Sequence, residues 1–160
     1  MTAVQAESPI GVFTSMDLSR GFPAGYGLVI LPSRIIGTKK IPWSSGIIAY
    51  LGPGSRHTED EKAKAIKIAT ELIGKKEFDF EKQSIVRIAY RSPGYIFRGH
   101  IAFKTTSDKV ELKIANLTNA AITERTVLEL IYSLMAFAPD RLYDETTGAL
   151  MKPGTRIIHH

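Results

Sequence analysis

The sequence predicts an α+β fold in which a bent antiparallel sheet, or a partly open barrel, packs against two helices. Short segments in which apolar and polar residues alternate recur along the chain, and this period of two is typical of strands with one buried face. Two longer segments, at about 58–74 and about 120–138, have the spacing of amphipathic helices. The order of strands, helix, strands and helix lacks the regular βαβ alternation of a doubly wound parallel sheet.

The first strands are predicted before residue 56. Ile10–Ser15 has the pattern of a strand, and 17–25, which is rich in glycine and proline, that of a loop. Tyr26–Leu31 and Arg34–Lys40 are predicted to pair as a hairpin around a Pro-Ser turn. Residues 41–55 are predicted to form a connector with room for one short strand, because prolines, serines and glycines surround a brief apolar run.

The first helix, about 58–74, is an insertion between two groups of strands. Thr58 and Glu61 have the spacing of a capping box, which predicts the start of the helix. Gly74 is predicted to end it in the left-handed conformation. The predicted buried stripe follows the helical repeat and consists of Ala65, Ile68, Ala69 and Leu72.

Three alternating segments follow this helix: Ile85–Arg91, Gly99–Thr105 and Val110–Ile114. Short polar connections between them predict an antiparallel meander. The second helix, about 120–138, is predicted to close an open end of the sheet, and Pro139 to stop it. The residues predicted to meet beneath the sheet are Val86, Ile88, Ile101, Phe103, Val110 and Leu112.

A single domain is predicted over 1–138, since a chain of 160 residues can bury a core without disulfide bonds. The polar, turn-rich segment 139–160 is predicted to be a C-terminal extension that is partly mobile. His159 and His160 are left out of the functional argument, because a terminal histidine pair also occurs as a cloning remnant.

Composition restricts the classes of function. The net charge of +5 favours partners such as nucleic acid, anionic lipid or an acidic protein. The chain has no cysteine, which excludes disulfides and cysteine metal sites, and it has no apolar run near the roughly 20 residues that span a bilayer. Neither a phosphate-binding glycine loop nor a paired-histidine spacing is present, so no cofactor and no metal are predicted. Without an export signal, we expect a cytoplasmic protein.

A family resemblance adds to this interpretation. The segment Leu-Val-Ile-Leu-Pro-Ser-Arg-Ile-Ile-Gly at 28–37, followed by alternating strands and one long amphipathic helix, resembles a pleckstrin-homology-like (PH-like) domain. It is most similar to small prokaryotic members with no assigned activity, and the resemblance covers Ile10–Phe137. It implies a bent sheet closed by the C-terminal helix. Lipid-binding members usually carry several basic residues in the first loop, whereas 15–25 offers only Arg20, so phosphoinositide recognition is not implied.

The outer face of the meander is the candidate binding site. If the turn at Pro93-Gly94 sets the register, Arg91 lies opposite Arg98 and Arg87 lies opposite Ala102. Across the next turn, which is predicted at Thr106–Lys109, Ala102 is predicted to pair with Lys113 and Lys104 with Glu111. A cationic face of this kind can bind phosphates or acidic side chains, although it is also typical of a solvated sheet face or a protected edge. The predicted basic patch consists of Arg87, Arg91, Arg98, Lys104 and Lys113.

Three functions remain open. The favoured hypothesis is a non-catalytic interaction module that binds a protein partner, or itself, through a sheet face, a strand edge or the inserted helix. Ile66 and Ile73 favour self-association because they widen the apolar side of that helix. The alternative is binding of anionic lipid or nucleic acid through the basic face. A small hydrolytic enzyme would have to use His57 or His100, to which the sequence assigns neither a partner nor a substrate.

Overall fold

The computed structural model describes residues 7–42 and 46–158, so that His159 and His160 lie outside the described residues. The described chain is α+β and contains ten strands and two α-helices. In chain order these are β1 (Gly11–Ser15), β2 (Leu18–Ser19), β3 (Tyr26–Ile30), β4 (Arg34–Thr38), β5 (Ile48–Tyr50), α1 (Glu59–Ile73), β6 (Phe78–Glu81), β7 (Ile85–Arg91), β8 (Gly99–Thr105), β9 (Lys109–Ile114), α2 (Ala120–Phe137) and β10 (Leu142–Asp144).

The strands form two sheets rather than one bent sheet. Sheet 1 has the order β5-β1-β3-β4-β6 and is antiparallel throughout, and sheet 2 has the order β10-β7-β8-β9-β2. The prediction of a purely antiparallel sheet is wrong in one place, because β10 pairs with β7 in parallel. The chain passes from one sheet to the other at Met16-Asp17 and at the 3₁₀ turn Lys82–Ser84. The described strands nevertheless form two separate open sheets and no closed barrel.

Sheet 1 separates two hydrophobic cores. One face, which includes Val12, Val29 and Ile36, is covered by the buried stripe of α1. The opposite face, which includes Phe13 and Leu28, belongs to the main core between the two sheets. Because both faces are covered, β1 and β3 are buried along their whole length instead of at alternate positions.

The capping box of α1 is confirmed. The backbone N–H of Glu61 donates to the Thr58 hydroxyl at 3.2 Å, and the Glu61 carboxylate accepts from the Thr58 backbone N–H at 3.2 Å. The prediction for Gly74 is wrong, because this residue keeps a right-handed conformation with φ of −67°. Its N–H continues the helical bonding to the carbonyls of Thr70 and Leu72, so no left-handed cap is needed.

The second helix is confirmed as a core element. Its apolar stripe is buried in the main core together with residues of both sheets, and consists of Val127, Leu130, Ile131, Leu134 and Phe137. Of the six residues predicted beneath the meander, Val86 is the exception, since it is 54% exposed. A β-bulge between Ile85 and Arg87 inserts one residue into β7 and turns Val86 outward.

Part of the segment 139–160 packs on the main core. It contributes β10, whose Leu142 is paired with Ile88, and it places Met151 and Ile157 among the buried residues. The Tyr90 hydroxyl donates to the Ile157 carbonyl at 2.8 Å, which satisfies a buried polar group.

Candidate binding surface

The two sheets differ in what covers their outer faces. The outer face of sheet 1 is covered by α1, whereas the outer face of sheet 2 carries exposed charged side chains. Alternation along β7, β8 and β9 directs apolar residues such as Ile88 and Ile101 into the core and basic residues outward. The outward side chains of these strands include Arg87, Arg91, His100, Lys104, Lys109, Glu111 and Lys113.

The predicted register of this face is wrong by two residues. Arg91 lies opposite His100 instead of Arg98, and Arg87 lies opposite Lys104 instead of Ala102. The cause is the connection 92–98, which forms a wide loop closed by a bond from the Gly94 N–H to the Phe97 carbonyl. A shift by an even number of residues keeps every side chain on its side of the sheet, so the basic residues remain outward.

The register of the next pair is shifted in the same way. Ala102 lies opposite Glu111 instead of Lys113, and Lys104 lies opposite Lys109 instead of Glu111. The turn at 106–108 is shorter than predicted because Thr105 and Asp108 already bond across it, with the Thr105 N–H donating to the Asp108 carbonyl at 2.9 Å. Cations therefore face cations at this end of the sheet.

The structure divides the predicted patch between two ends of sheet 2. The end beside the turn 106–108 has Arg87, Lys104 and Lys109 side by side across three strands. We call it the turn end. The Arg87 guanidinium lies 4.4 Å from the centre of the Tyr143 ring, a cation–π contact that fixes its direction. Like charges placed directly opposite each other on a sheet lower its stability. The three cations of this row therefore repel one another in the folded protein.

The opposite end, which we call the loop end, combines the loops 16–25 and 92–98 with the remaining basic residues of the patch. Arg98 and Lys113 line one cleft of about 400 Å³, together with Met16 and Phe22. Arg91 lies next to this region on β7, opposite His100. Three of the five predicted residues are thus brought together at the loop end, while Arg87 and Lys104 are not among them.

Exposed apolar side chains distinguish the loop end. Phe22 is 94% exposed, Ile96 is 81% exposed and Phe97 is 70% exposed. Backbone bonds hold the second loop in place, since the Leu117 N–H donates to the Gly94 carbonyl at 2.8 Å. Sequence reasoning did not connect Phe22 with Arg98, because 76 positions separate these two residues and only the fold brings their loops together.

His100 is not isolated on its strand, as the sequence suggested. Its Nε2 contacts the Glu145 carboxylate, and its Nδ1 lies 3.7 Å from Glu111. The hydrogen bond from His100 lowers the pKa of Glu145, and the nearby charge of Arg91 acts in the same direction. Two carboxylates therefore offset part of the positive charge at the loop end.

His57 has a similar arrangement on another side of the protein. Its Nδ1 lies 3.0 Å from Glu61, and its Nε2 contacts Glu129 on α2, which the sequence analysis did not identify. Burial opposes the charged imidazole, but the bonds to the two carboxylates outweigh it and raise the pKa of His57. The hydrogen bond from His57, together with those from Thr58, lowers the pKa of Glu61 to about 2. Both ring nitrogens are engaged, so neither faces an open position for a substrate.

Comparison with known proteins identifies no relative, since no family model, no curated protein and no solved structure matches the chain. Neither α1 nor α2 is long and apolar enough to cross a membrane. Within 7–42 and 46–158, no three histidine or acidic side chains are grouped so that they could hold a metal ion. The function is therefore argued from the geometry of the two ends of sheet 2.

Proposed function

We propose that this chain is a non-catalytic, cytoplasmic interaction module of the PH-like type that binds anionic lipid surfaces through the loop end of sheet 2. The observation that carries the proposal is that the exposed Phe22 lines one cleft with Arg98 and Lys113, while the exposed Ile96 and Phe97 directly precede Arg98 in the chain. Exposed apolar side chains with a polar rim are typical of interaction sites. A rim of cations favours a partner that offers negative charge above an apolar layer, which is the structure of an anionic bilayer.

The PH-like assignment is supported by the packing of α2. The apolar stripe of this helix is buried in the main core together with residues of both sheets, as the resemblance implies for a bent sheet closed by its last helix. Two features depart from that pattern. Helix α1 covers the outer face of sheet 1, and β10 extends sheet 2 after the last helix. The first departure supports sheet 2 as the binding side, because α1 occupies the alternative face.

The estimated free energies indicate that membrane binding needs both the basic residues and the apolar side chains of the loop end. Each Lys or Arg close to an anionic membrane contributes about 1 kcal/mol. Arg91, Arg98 and Lys113 would therefore supply about 3 kcal/mol between them, which corresponds only to weak binding. Partial burial of Phe22 and Ile96 would add about 1 kcal/mol each, since full burial of such a side chain contributes about 1.5–3 kcal/mol. Neither contribution is sufficient for stable binding without the other.

The aliphatic part of the loop end separates lipid from the other anionic partners. Single-stranded nucleic acid binds by stacking its bases on aromatic rings, for which Phe97 is suitable and Ile96 is not. An acidic protein would engage Arg98 and Lys113 without a requirement for Phe22. Dependence on Ile96 and Phe22 in addition to the charges is therefore characteristic of a bilayer.

The test compares charge reversal at the two ends of sheet 2. Binding to phosphatidylcholine vesicles with and without phosphatidylserine is measured for Arg98→Glu with Lys113→Glu, and for the matched pair Arg87→Glu with Lys104→Glu. The loop-end pair is expected to lose at least about 100-fold in affinity, because two attractions become repulsions. The turn-end pair lies about 13 Å further along the strands, beyond the Debye length of about 8 Å, and should lose far less.

Several results would contradict the proposal. Equal losses for the two pairs would show a general charge effect, and unchanged binding of the loop-end pair would remove the loop end as the site. Tight binding to a single-stranded oligonucleotide or to an acidic protein, without binding to vesicles that contain phosphatidylserine, would replace lipid by that partner.

A further inference from the structure

A groove runs between α1, α2 and the chain after β10, away from the outer face of sheet 2. It consists of two clefts, one of about 790 Å³ and one of about 670 Å³, and each is large enough for a small ligand. Tyr50, Gly54 and Tyr132 line both clefts, so the two are adjacent. The rings of Tyr50 and Tyr132 lie 6.2 Å apart between centres and form the boundary between them.

The first cleft carries several charged side chains, and its carboxylates already have partners. Glu129 accepts bonds from the Tyr50 N–H at 3.1 Å and from Arg125 Nε at 3.3 Å, in addition to its contact with His57. Glu61 is bound by His57 and by the capping box of α1. Glu124, the third carboxylate that lines the cleft, also has an interaction within the protein.

Two guanidinium groups in the same cleft retain open donors. Arg125 uses only Nε for Glu129, and its side chain is 60% exposed, so its two terminal nitrogens have no partner within the described part of the chain. Arg56 lines the cleft and forms no side-chain hydrogen bond or ion pair with a described residue. Arginine donors of this kind match the oxygens of a carboxylate or a phosphate.

The second cleft is mainly apolar. It lies between the C-terminal half of α2 and the segment 150–157. The Tyr50 hydroxyl donates to the Pro53 carbonyl at 2.7 Å, and both residues line this cleft. Its apolar lining includes Met135, Ala136, Pro139, Leu150, Met151 and Ile157, and Lys152 also lines the cleft.

We propose that this groove binds one amphiphilic anion, with a carboxylate or phosphate head on Arg56 and Arg125 and an unbranched apolar chain that passes Tyr132 into the second cleft. The occupant follows from the open guanidinium donors of Arg56 and Arg125 at one end and an apolar wall at the other. The site is separate from the loop end of sheet 2. It takes a single amphiphile, whereas the loop end is proposed to bind the surface of a bilayer.

The length of the ligand chain provides a quantitative test. Each methylene that enters an apolar site contributes about a fourfold gain in affinity. Titration calorimetry with octanoate, decanoate and dodecanoate, each below its micelle concentration, should therefore show an increase of about 15-fold for every two carbons until the cleft is full. Decyltrimethylammonium, which carries the opposite charge on the same chain, should bind at least about tenfold more weakly than decanoate.

Two variants test the two parts of the groove. Arg56→Gln should weaken decanoate by about tenfold and leave the dependence on chain length unchanged, because it removes only a head-group donor. Ala136→Trp places a large side chain in the apolar cleft from an exposed helix position and should remove the dependence on chain length. Arg87→Gln, at the turn end of sheet 2, is the matched control and should bind decanoate as the unmodified protein does.

The proposal fails if decanoate and decyltrimethylammonium bind equally, if no probe binds, or if Ala136→Trp binds as the unmodified protein does. Circular dichroism of each variant establishes that the fold is retained. The loop-end pair Arg98→Glu with Lys113→Glu separates this site from the proposed lipid surface. It should bind decanoate normally while failing on vesicles, and a loss of both activities would show that the groove is not a separate site.

Discussion

The turn end and the loop end of sheet 2 carry similar basic residues but differ in their surroundings. At the turn end, Lys104 lies between Arg87 and Lys109, and the adjoining turn 106–108 consists of polar residues. At the loop end, Arg98 and Lys113 stand beside Phe22 and the exposed loop 92–98, while carboxylates offset part of the charge. The difference shows that the number of cations does not identify a binding site. The apolar side chains beside them are what distinguish one end from the other.

Among substitutions that keep the basic residues, the largest expected effect comes from removing these apolar side chains. The double variant Phe22→Ser with Ile96→Ser should lose about 30-fold in affinity for vesicles that contain phosphatidylserine, since about 2 kcal/mol of apolar burial is lost. Both side chains are exposed, so the free energy of unfolding should change by less than about 0.5 kcal/mol. Vesicle flotation and urea denaturation measure the two quantities.

Val86 provides the matched control for this variant, because it is an exposed apolar residue near the turn end. Val86→Ser should bind vesicles as the unmodified protein does. An equal loss in Val86→Ser and in the loop-end variant would mean that exposed apolar surface acts without regard to position, and the distinction between the two ends would then be wrong.

A smaller effect is expected from the carboxylate at the loop end. Glu145 contacts His100, and its pKa is lowered by that hydrogen bond, so it is ionised under neutral conditions and opposes an anionic surface. Glu145→Gln should increase the affinity for vesicles with phosphatidylserine by about fivefold, which is the effect of about one unit charge near the membrane.

The gain should disappear on vesicles of phosphatidylcholine alone and should decrease as salt is added. Asp140→Asn is the control, because Asp140 is an exposed carboxylate that bonds to Arg141 outside sheet 2. If both substitutions increase affinity equally, net charge rather than the loop end determines binding.

Most local features of the fold were predictable from the sequence, with the left-handed cap at Gly74 as an exception, whereas features that depend on distant contacts were not. The capping box at Thr58 and Glu61 and the apolar stripe of α2 follow from spacing over a few residues, and both are present. The exposure of Val86 depends on a bulge that alternation does not reveal. The pairing of β10 with β7 depends on packing after α2, and its three residues have no alternation strong enough to predict a strand.

In the candidate site, too, the direction of the side chains could be predicted from the sequence, whereas their neighbours could not. Alternation alone placed Arg87 and Lys104 on the outer face, and an error of two residues in register did not change that result. The neighbours of these residues could not be predicted, because the width of the loop 92–98 determines which cations face each other. The contact between His57 and Glu129 joins residues 72 positions apart, and no spacing rule connects them.

The smallest expected effect concerns stability at the turn end. Lys104 is opposite both Arg87 and Lys109, so Lys104→Glu replaces two repulsions with two attractions across the strands. The free energy of unfolding should rise by about 0.5 kcal/mol, a small value because the side chains are exposed and screened by solvent. Urea denaturation at low salt measures it.

Lys113→Glu is the counterpart at the loop end, where Glu111 lies 3.3 Å from the Lys113 amine. There the substitution of lysine by glutamate should lower stability because it creates a repulsion. If both variants become more stable, the cations at the two ends have the same electrostatic surroundings and the contrast between the ends rests on the apolar loops alone.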